Sequence, residues 1–254
     1  MQTISFLSNK SQIKEYAVQA VNDELEAIGN LPLFITDDFT SAVESIANAS
    51  GRLIVTGIGK SAIIAQKIVA TMNSTGQPSI FMHAADAIHG DLGIIQTGDV
   101  VLAISKSGNT PELKALVPYL KSYGNVLLGM VGNIESHLAV ESNFIINTTV
   151  SKEACPNNLA PTSSTTAQLI MGDAMAVALM KLKNFTARDF SKYHPGGALG
   201  KKLYLTCAQI AGGNEKPIVA ENDSFESVIQ SISKGRLGAT AVVRESKIIG
   251  IITD

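Results

Sequence analysis

Two segments rich in glycine and hydroxyl side chains, each directly after an apolar run, constrain the fold of this chain most. Residues 57–61 (Gly-Ile-Gly-Lys-Ser) follow the run 53–55, and residues 105–112 (Ser-Lys-Ser-Gly-Asn-Thr-Pro-Glu) follow the run 100–104. Each pattern predicts a buried strand, a tight turn and the start of a helix. Backbone N–H groups, hydroxyls and the positive end of a helix dipole favour anions. The two segments therefore predict a phosphate or phosphosugar site.

The order of the predicted elements indicates an α/β fold. Apolar strand candidates lie at 52–56, 79–82, 99–104, 126–131 and 143–147. Helices are predicted between and after them at 61–74, 111–123 and 163–183. Alternating strands and helices form right-handed crossovers and a mostly parallel sheet, whose central strands are apolar because both faces are covered. Ligands of such sheets bind beyond the carboxyl ends of the strands, where both glycine-rich segments are predicted to lie.

The two ends of the chain differ from this central pattern. Amphipathic helices are predicted at 11–28 and 38–49, where apolar residues recur at helical spacing. After about residue 205 the sequence predicts a linker at 211–217, a helix at 224–233, a strand at 239–243, a turn at 245–247 and a strand at 248–252. Such a small unit buries little apolar surface alone and needs a partner.

We therefore expect three regions. Residues 1–49 form helices that pack on the core, residues 50–205 form the α/β domain, and residues 206–254 form a smaller α+β unit. The chain ends at Asp254 without a polar tail, which indicates that it is shortened.

The composition excludes several classes of protein. With 254 residues, 45% hydrophobic and 17% charged, the chain can bury a sizeable core. A net charge of −2 gives no basic surface for nucleic acid or an anionic membrane. No apolar run approaches the ~20 residues that span a bilayer, and residues 1–5 do not resemble a signal peptide. Cys155 and Cys207 form no CxxC pattern, so we expect a cytoplasmic protein without a disulfide or zinc framework.

Several residues of the glycine-rich segments are candidate anion ligands. Lys60 could hold a phosphate or polarise a carbonyl, or it could be a solvated lysine in a tight turn. The eight-residue Walker spacing is absent, which disfavours nucleotide hydrolysis. Ser105, Ser107, Asn109 and Thr110 could bind phosphate, or they could serve as a turn and a helix N-cap. The local pattern leaves these alternatives open.

Two glutamates are candidates for acid–base chemistry. Glu112 lies in the first turn of a predicted helix, where a carboxylate also stabilises the helix dipole. Glu153 lies in the loop 151–158, just before the hydroxyl-rich segment 160–166 that opens a long helix. Hydroxyls at that position predict a third anion site, and a carboxylate beside it could act as a base.

The four histidines have different contexts. His83 and His89 flank a short segment that contains a carboxylate, but their spacing matches no common metal motif. His137 follows Glu135-Ser136 in a predicted surface helix and is interpreted as structural. His194 precedes Pro195 in a turn-prone segment after a helix, and a histidine held in this way suits proton transfer near neutral pH.

Together these motifs resemble the sugar isomerase (SIS) family, and within it the arabinose 5-phosphate isomerases of bacterial lipopolysaccharide synthesis. The matching segments are GIGKS at 57–61, HAADAIHGDLG at 83–93, SKSGNTPEL at 105–113, APTSSTT at 160–166 and KYHPGGALGKKL at 192–203. Residues 241–243 and 250–254 look like the first half of the tandem CBS region that family members carry. The usual second CBS motif is missing here.

The resemblance implies a three-layer, flavodoxin-like parallel sheet with a truncated CBS tail. It also implies an enzyme that interconverts D-ribulose 5-phosphate and D-arabinose 5-phosphate through a cis-enediol(ate) and feeds the synthesis of Kdo. No metal or other cofactor is expected, because positioned donors can stabilise an enediolate. A zinc ion could still inhibit the enzyme if His83, His89, Glu112 and His194 converge.

The resemblance also implies roles for individual residues. Glu153 is the base, His194 shuttles protons at the sugar oxygens from a neighbouring subunit, Lys60 stabilises the enediolate, and Glu112 orients the sugar or relays protons. The roles of Glu112 and Glu153 could be exchanged. His89 completes the catalytic set. The residues expected to bind the substrate or its phosphate are Gly59, Ser61, His83, Ser105, Ser107, Asn109, Thr110, Ser163 and Thr165.

Two other functions remain open. Some sugar isomerase domains sense phosphosugars without catalysis, but a sensor would not need Glu112, Glu153, His89 and His194 together. An isomerase for another ketose phosphate would differ in pocket length, which the sequence does not give. The isomerases of the lipopolysaccharide, capsule and sugar-alcohol pathways share these motifs. In every case the resemblance implies a small sugar phosphate as ligand and a homotetramer.

Overall fold

The computed structural model describes residues 10–197, 206, 208 and 216–254. The chain divides into two compact units, Met1–Tyr193 and His194–Asp254, and each has a sheet of its own. None of the described helices is both long enough and apolar enough to cross a membrane.

A five-stranded parallel sheet forms the centre of the first unit. Its strands are β1 (Leu53–Gly57), β2 (Ser79–His83), β3 (Val100–Ser105), β4 (Val126–Val131) and β5 (Phe144–Asn147). They lie in the order β2-β1-β3-β4-β5, and each neighbouring pair is parallel. This order is the flavodoxin-like arrangement, so the predicted fold class is confirmed. Strands β1 and β3 are buried along their whole length.

Helices flank this sheet. They are α1 (Lys10–Gly29), α2 (Asp37–Asn48), α3 (Lys60–Ser74), α4 (Ala84–Ala87), α5 (Pro111–Ser122), α6 (His137–Glu141), α7 (Ser163–Leu182) and α8 (Ala187–Tyr193). The longer helices and the strands agree with the predicted spans to within two residues. The short helices α4 and α8 and the 3-10 turns Leu31–Phe34 and Asp91–Ile94 were not predicted, because four to seven residues show too little periodicity.

The core has two apolar clusters, one on each face of the sheet. Val55 and Leu102 pack with α2, α3 and α7, whereas Ile54 and Val101 pack with α4, α5 and α6. Successive strand residues point to opposite faces, so each strand contributes to both clusters. The result is a three-layer arrangement of helix, sheet and helix.

The N-terminal helices pack on this core to different degrees. Helix α2 buries Phe39, Val43 and Ile46 against β5 and α7, and Asp38 Oδ2 accepts a hydrogen bond from the Ile145 N–H at 3.0 Å. Helix α1 contacts α7 and buries Ala27. Its larger apolar side chains, Ile13, Tyr16, Val18, Val21 and Leu25, are exposed.

The second unit contains β6 (Ile218–Ala220), α9 (Phe225–Gly235), β7 (Ala239–Arg244) and β8 (Lys247–Thr253). Strand β6 is parallel to β7, and β7 forms an antiparallel hairpin with β8. Glu245 and Ser246 make the hairpin turn with φ of 47° and 64°, because a two-residue type I′ turn requires positive φ at both central residues. Large apolar side chains, including Phe225, Ile248 and Ile251, stay exposed in this unit. Most of the predicted linker 211–217, together with Cys207 and residues 198–203, lies outside the described residues.

Candidate active site

The register of the sheet brings the ends of its strands together. Gly57 at the end of β1 pairs with His83 of β2 and with Ile104 of β3, and Ser105 pairs with Val131 of β4. The loops that follow β1, β2 and β3 therefore start at one edge of the sheet. Both glycine-rich segments and His83 lie at this edge, as the parallel fold predicts.

A cavity of about 220 Å³ lies at this edge. Its polar lining comes from the starts of three helices and the loops before them. The lining residues are Lys60 and Ser61 at α3, Ser105, Lys106, Ser107 and Thr110 before α5, and Pro161, Ser164 and Thr165 at α7, with Ile58 and Ile104. Three helix N-termini at one cavity, together with two lysines, favour an anion. The structure thus gathers Lys60, Ser61, Ser105, Ser107, Thr110 and Thr165, all of which were predicted from the sequence.

The loop between β3 and α5 is held by its own side chains. Ser105 Oγ accepts the Gly108 N–H at 3.1 Å and lies 2.8 Å from Thr110 Oγ1. Ser107 Oγ accepts the Asn109 N–H at 3.2 Å, and Asn109 Oδ1 accepts the His137 N–H at 3.3 Å. Asn109, a predicted ligand, therefore braces the loop against α6, and it is not among the described residues that line the cavity.

The loop between β1 and α3 contacts α7 through a buried amide. Gly59 precedes α3 with φ of 58°, a left-handed conformation that suits glycine. Ser61 Oγ donates to Gln168 Oε1 at 3.3 Å, and Gln168 is completely buried. Gln168 Nε2 has no hydrogen-bond partner among the described residues. The sequence analysis missed Gln168, although a glutamine within an apolar helix was a usable signal.

Glu153 contacts two residues of the cavity lining, Lys106 and Ser164, and both of its carboxylate oxygens are engaged. Its Oε1 is 2.5 Å from Lys106 Nζ. Its Oε2 accepts the backbone N–H groups of Thr162 at 2.8 Å and Ser164 at 3.1 Å, and the Thr162 hydroxyl at 3.2 Å. The Glu153 side chain has no exposed surface, and it caps the N-terminus of α7 from outside the helix.

These contacts keep the Glu153 carboxylate ionised. Burial by itself raises the pKa of Glu153, but the hydrogen bonds from Lys106 and from the N–H groups of Thr162 and Ser164 outweigh burial. The pKa of Glu153 falls to about 2. The structure therefore gives Glu153 a paired negative charge.

The structure differs from the sequence-based prediction at two residues near Glu153, Ser163 and Lys106. Ser163, a predicted phosphate ligand, is completely buried, and its Oγ accepts the Ala154 N–H at 3.0 Å. Ser164 borders the cavity in its place, because consecutive helix residues point in different directions, but it is also buried, and its Oγ has no hydrogen-bond partner among the described residues. Lys106 was also not predicted from the sequence, although it lies between the predicted phosphate ligands Ser105 and Ser107.

The remaining predicted residues of the first unit, His83, His89 and Glu112, are not among the described residues that line the cavity. His83 ends β2, with Nδ1 3.5 Å from Asp86 Oδ2 and its ring edge-on to Phe81. His89 is exposed, and Glu112 is half-buried in the first turn of α5.

His194 belongs to the second compact unit, so its proposed entry into the site stays a prediction. Among the described residues, no three His, Cys, Asp or Glu side chains are grouped to hold a metal ion.

Comparison with known proteins places this arrangement in a family. Residues 45–178 match the model of the SIS domain. Arabinose 5-phosphate isomerase KdsD of Pseudomonas aeruginosa is 44% identical over 240 residues, which cover 94% of this chain and 74% of that protein. The protein of the same name from Escherichia coli is 45% identical over 233 residues, covering 91% and 71% of the two chains.

Solved structures agree with the sequence comparison. A protein of E. coli CFT073 in complex with arabinose 5-phosphate superimposes with a TM-score of 0.72 at 38% identity, covering 74% of this chain and 100% of that one. The match of the SIS model to more than half of the chain, and the identity to long relatives, show the family. This chain therefore belongs to the SIS domain family, in the group of the arabinose 5-phosphate isomerases.

Proposed function

We propose that the chain is an aldose–ketose isomerase that interconverts D-arabinose 5-phosphate and D-ribulose 5-phosphate. Relatives of that name are 44% and 45% identical to it over alignments that cover 94% and 91% of this chain. The observation that carries the proposal is the cavity where three helix N-termini, two lysines and several hydroxyls meet. This set of donors suits the dianionic phosphate of a small sugar.

The reaction moves one hydrogen between two neighbouring carbons. A carboxylate removes the proton from C2 of the aldose, and the C–H electron pair forms the C1–C2 double bond of a cis-enediolate with its charge on O1. A proton then returns to C1, and the proton of the O2 hydroxyl is transferred to O1, so that C2 becomes the ketone and C1 a CH₂OH group. Lys60 at the cavity would stabilise the enediolate charge, because a cation placed before the charge develops needs no reorganisation.

The acid–base roles follow the same proposal. Glu153 is the base, His194 from a neighbouring subunit moves protons at the sugar oxygens, and Glu112 and His89 orient the sugar. What supports Glu153 is its contact with Lys106 and Ser164 of the cavity lining, together with its ionised state. Glu112 is the alternative base, since its half-buried carboxylate lies in the first turn of α5.

Proton NMR in D₂O with ribulose 5-phosphate tests the function directly. The expected result is arabinose 5-phosphate that carries deuterium at C2, because the base exchanges its proton with solvent. Saturable binding of the sugar phosphate without turnover would instead indicate a phosphosugar sensor and would contradict the proposed isomerase activity.

Glu153→Gln tests the assignment of the base. Loss of general base catalysis lowers kcat by about 10²- to 10⁴-fold. Near-normal kcat in Glu153→Gln together with a loss in Glu112→Gln would transfer the base role to Glu112.

The proposal extends to assembly and location. A homotetramer is supported by the exposed apolar residues of α1, including Ile13, Val21 and Leu25, which need a covering surface. The free thiol of Cys155 suits a reducing cytoplasm, and synthesis of Kdo is the proposed destination of the product. The second unit, a β-α-β-β arrangement, is proposed as half of a CBS pair within the predicted region 206–254.

A further inference from the structure

Lys106 contacts the buried carboxylate of Glu153 and also lines the cavity. Its Nζ is 2.5 Å from Glu153 Oε1, and the same residue lines the cavity between Ser105 and Ser107. The Lys106 side chain is 46% exposed, whereas the Glu153 side chain is completely buried. Lys106 therefore contacts both the Glu153 carboxylate and the cavity.

The two oxygens of Glu153 are held in different ways. Oε2 accepts hydrogen bonds from Thr162 and Ser164 at the start of α7, which is part of the protein frame. Oε1 pairs with the end of a flexible lysine side chain. Movement of this side chain alone would uncover Oε1, while Oε2 would keep the carboxylate in place.

A sugar phosphate in the cavity would compete for this lysine. The phosphate is a dianion, and Ser105, Ser107 and Thr110 supply hydroxyl donors beside it. Lysine is a point charge on a four-carbon stem, so its ammonium can change partners without moving the backbone. The backbone of Lys106 is fixed, because its carbonyl accepts the Gly132 N–H at 3.0 Å.

We propose that Lys106 is a substrate-binding lysine that leaves Glu153 for the phosphate of the sugar and thereby uncovers the carboxylate for proton transfer. The idea rests on the proposed isomerase function and adds a residue and a step to it. Without substrate, the ion pair keeps a buried carboxylate charged and shielded. With substrate, the carboxylate loses its cationic partner and becomes a stronger base.

The electrostatics of the pair support this step. Burial raises the pKa of Glu153, and the hydrogen bond from Lys106 leads the contributions that lower it to about 2. A base works best when its pKa is near the operating pH. Departure of Lys106 therefore moves the pKa of Glu153 in the direction that favours catalysis.

A double-mutant cycle on phosphate binding tests the competition. Isothermal titration of inorganic phosphate is performed on the wild type, Lys106→Met, Glu153→Gln and the double variant. Lys106→Met should weaken phosphate binding by about 10- to 100-fold, the range of a hydrogen bond to a charged group. Glu153→Gln should tighten it, because Lys106 no longer has to break an ion pair. In the double variant this gain should vanish.

Two further variants complete the test. Lys106→Arg keeps the charge and should recover most of the phosphate affinity and of the KM for the sugar phosphate. Lys121→Met removes a half-exposed lysine that pairs with Glu141 outside the cavity, and should leave phosphate binding unchanged.

Unchanged phosphate affinity in Lys106→Met, or weaker binding in Glu153→Gln, would overturn the proposal. The titration does not depend on turnover, so failure of the isomerase assay would reject the proposed function without deciding the role of Lys106.

Discussion

A Cβ atom placed on Gly108 would lie 1.8 Å from Oγ of Ser136. Gly108 also has φ of 62°, and its carbonyl accepts the Leu138 N–H at 3.0 Å. Ser136 is the N-cap of α6, and its Oγ accepts the Ala139 N–H at 3.4 Å. The loop after β3 therefore rests directly on the start of α6, at a distance that no side chain allows.

Gly108→Ala should destabilise the protein by about 2–5 kcal/mol, the sum of left-handed strain and overpacking. It should also raise KM, since displacement of the loop moves Ser105 and Thr110. Urea unfolding and steady-state kinetics measure the two effects. Gly124→Ala is the matched control, because Gly124 has φ of 71° but open space around its Cβ position. Equal losses in both variants would show that the contact with Ser136 is unimportant.

Ser105→Ala should weaken substrate binding and the loop together. The hydroxyl of Ser105 accepts the Gly108 N–H and pairs with Thr110, and it lines the cavity. Its removal leaves a buried N–H without a partner, which costs about 1–3 kcal/mol. We expect a higher KM with a smaller change in kcat. The control is Ser122→Ala, whose exposed hydroxyl donates to the Tyr119 carbonyl; a similar KM in both variants would contradict the assignment.

The stability of the protein should depend on the ionisation of Glu153. Its pKa is about 2 in the folded protein against 4.5 as the reference value. A carboxylate with a lowered pKa contributes stability above its unfolded pKa, and this contribution is lost as the pH falls from 4.5 towards 2. The difference corresponds to about 3 kcal/mol at neutral pH.

Urea unfolding of the wild type and Glu153→Gln between pH 3 and pH 7 measures this contribution. The variant should be less stable at pH 7, and the difference in unfolding free energy between the two proteins should decrease as the pH falls. Since other carboxylates titrate equally in both proteins, their effect cancels in the difference. A gap that stays constant over the whole range would mean that the Glu153 charge adds no stability.

The pair Arg52–Asp99 should be a major stabilising contact at the opposite edge of the sheet. The Asp99 side chain is 1% exposed, and its oxygens accept the Arg52 side chain and the N–H groups of Arg52 and Gln96. Arg52→Ala leaves this buried charge without its cation, which costs about 3 kcal/mol. Lys67→Ala breaks an exposed pair with Asp173 and should cost about 0–1 kcal/mol. Comparable unfolding midpoints for the two variants would refute this ranking.

The sequence determined the fold class because hydrophobic periodicity is local. Unbroken apolar runs such as 100–104 and 126–131 identify buried parallel strands, and the glycine and hydroxyl segments mark the turns that follow them. Since the carboxyl ends of parallel strands meet at one edge, the sequence also placed Lys60, Ser61, Ser105, Ser107 and Thr110 near one another. The family resemblance, which covers residues 50–203, supplied the chemistry.

The tertiary structure decided which of these side chains meet. Ser163 and Ser164 are indistinguishable in sequence and both are buried, and only the rotation of α7 makes the second one part of the cavity lining. Lys106 and Glu153 are 47 residues apart, and Ser61 and Gln168 are 107 apart. Their contacts depend on how β3, α3 and α7 pack, which no local pattern encodes. Burial and pairing then set the charge of Glu153, because both are properties of its surroundings rather than of its position in the chain.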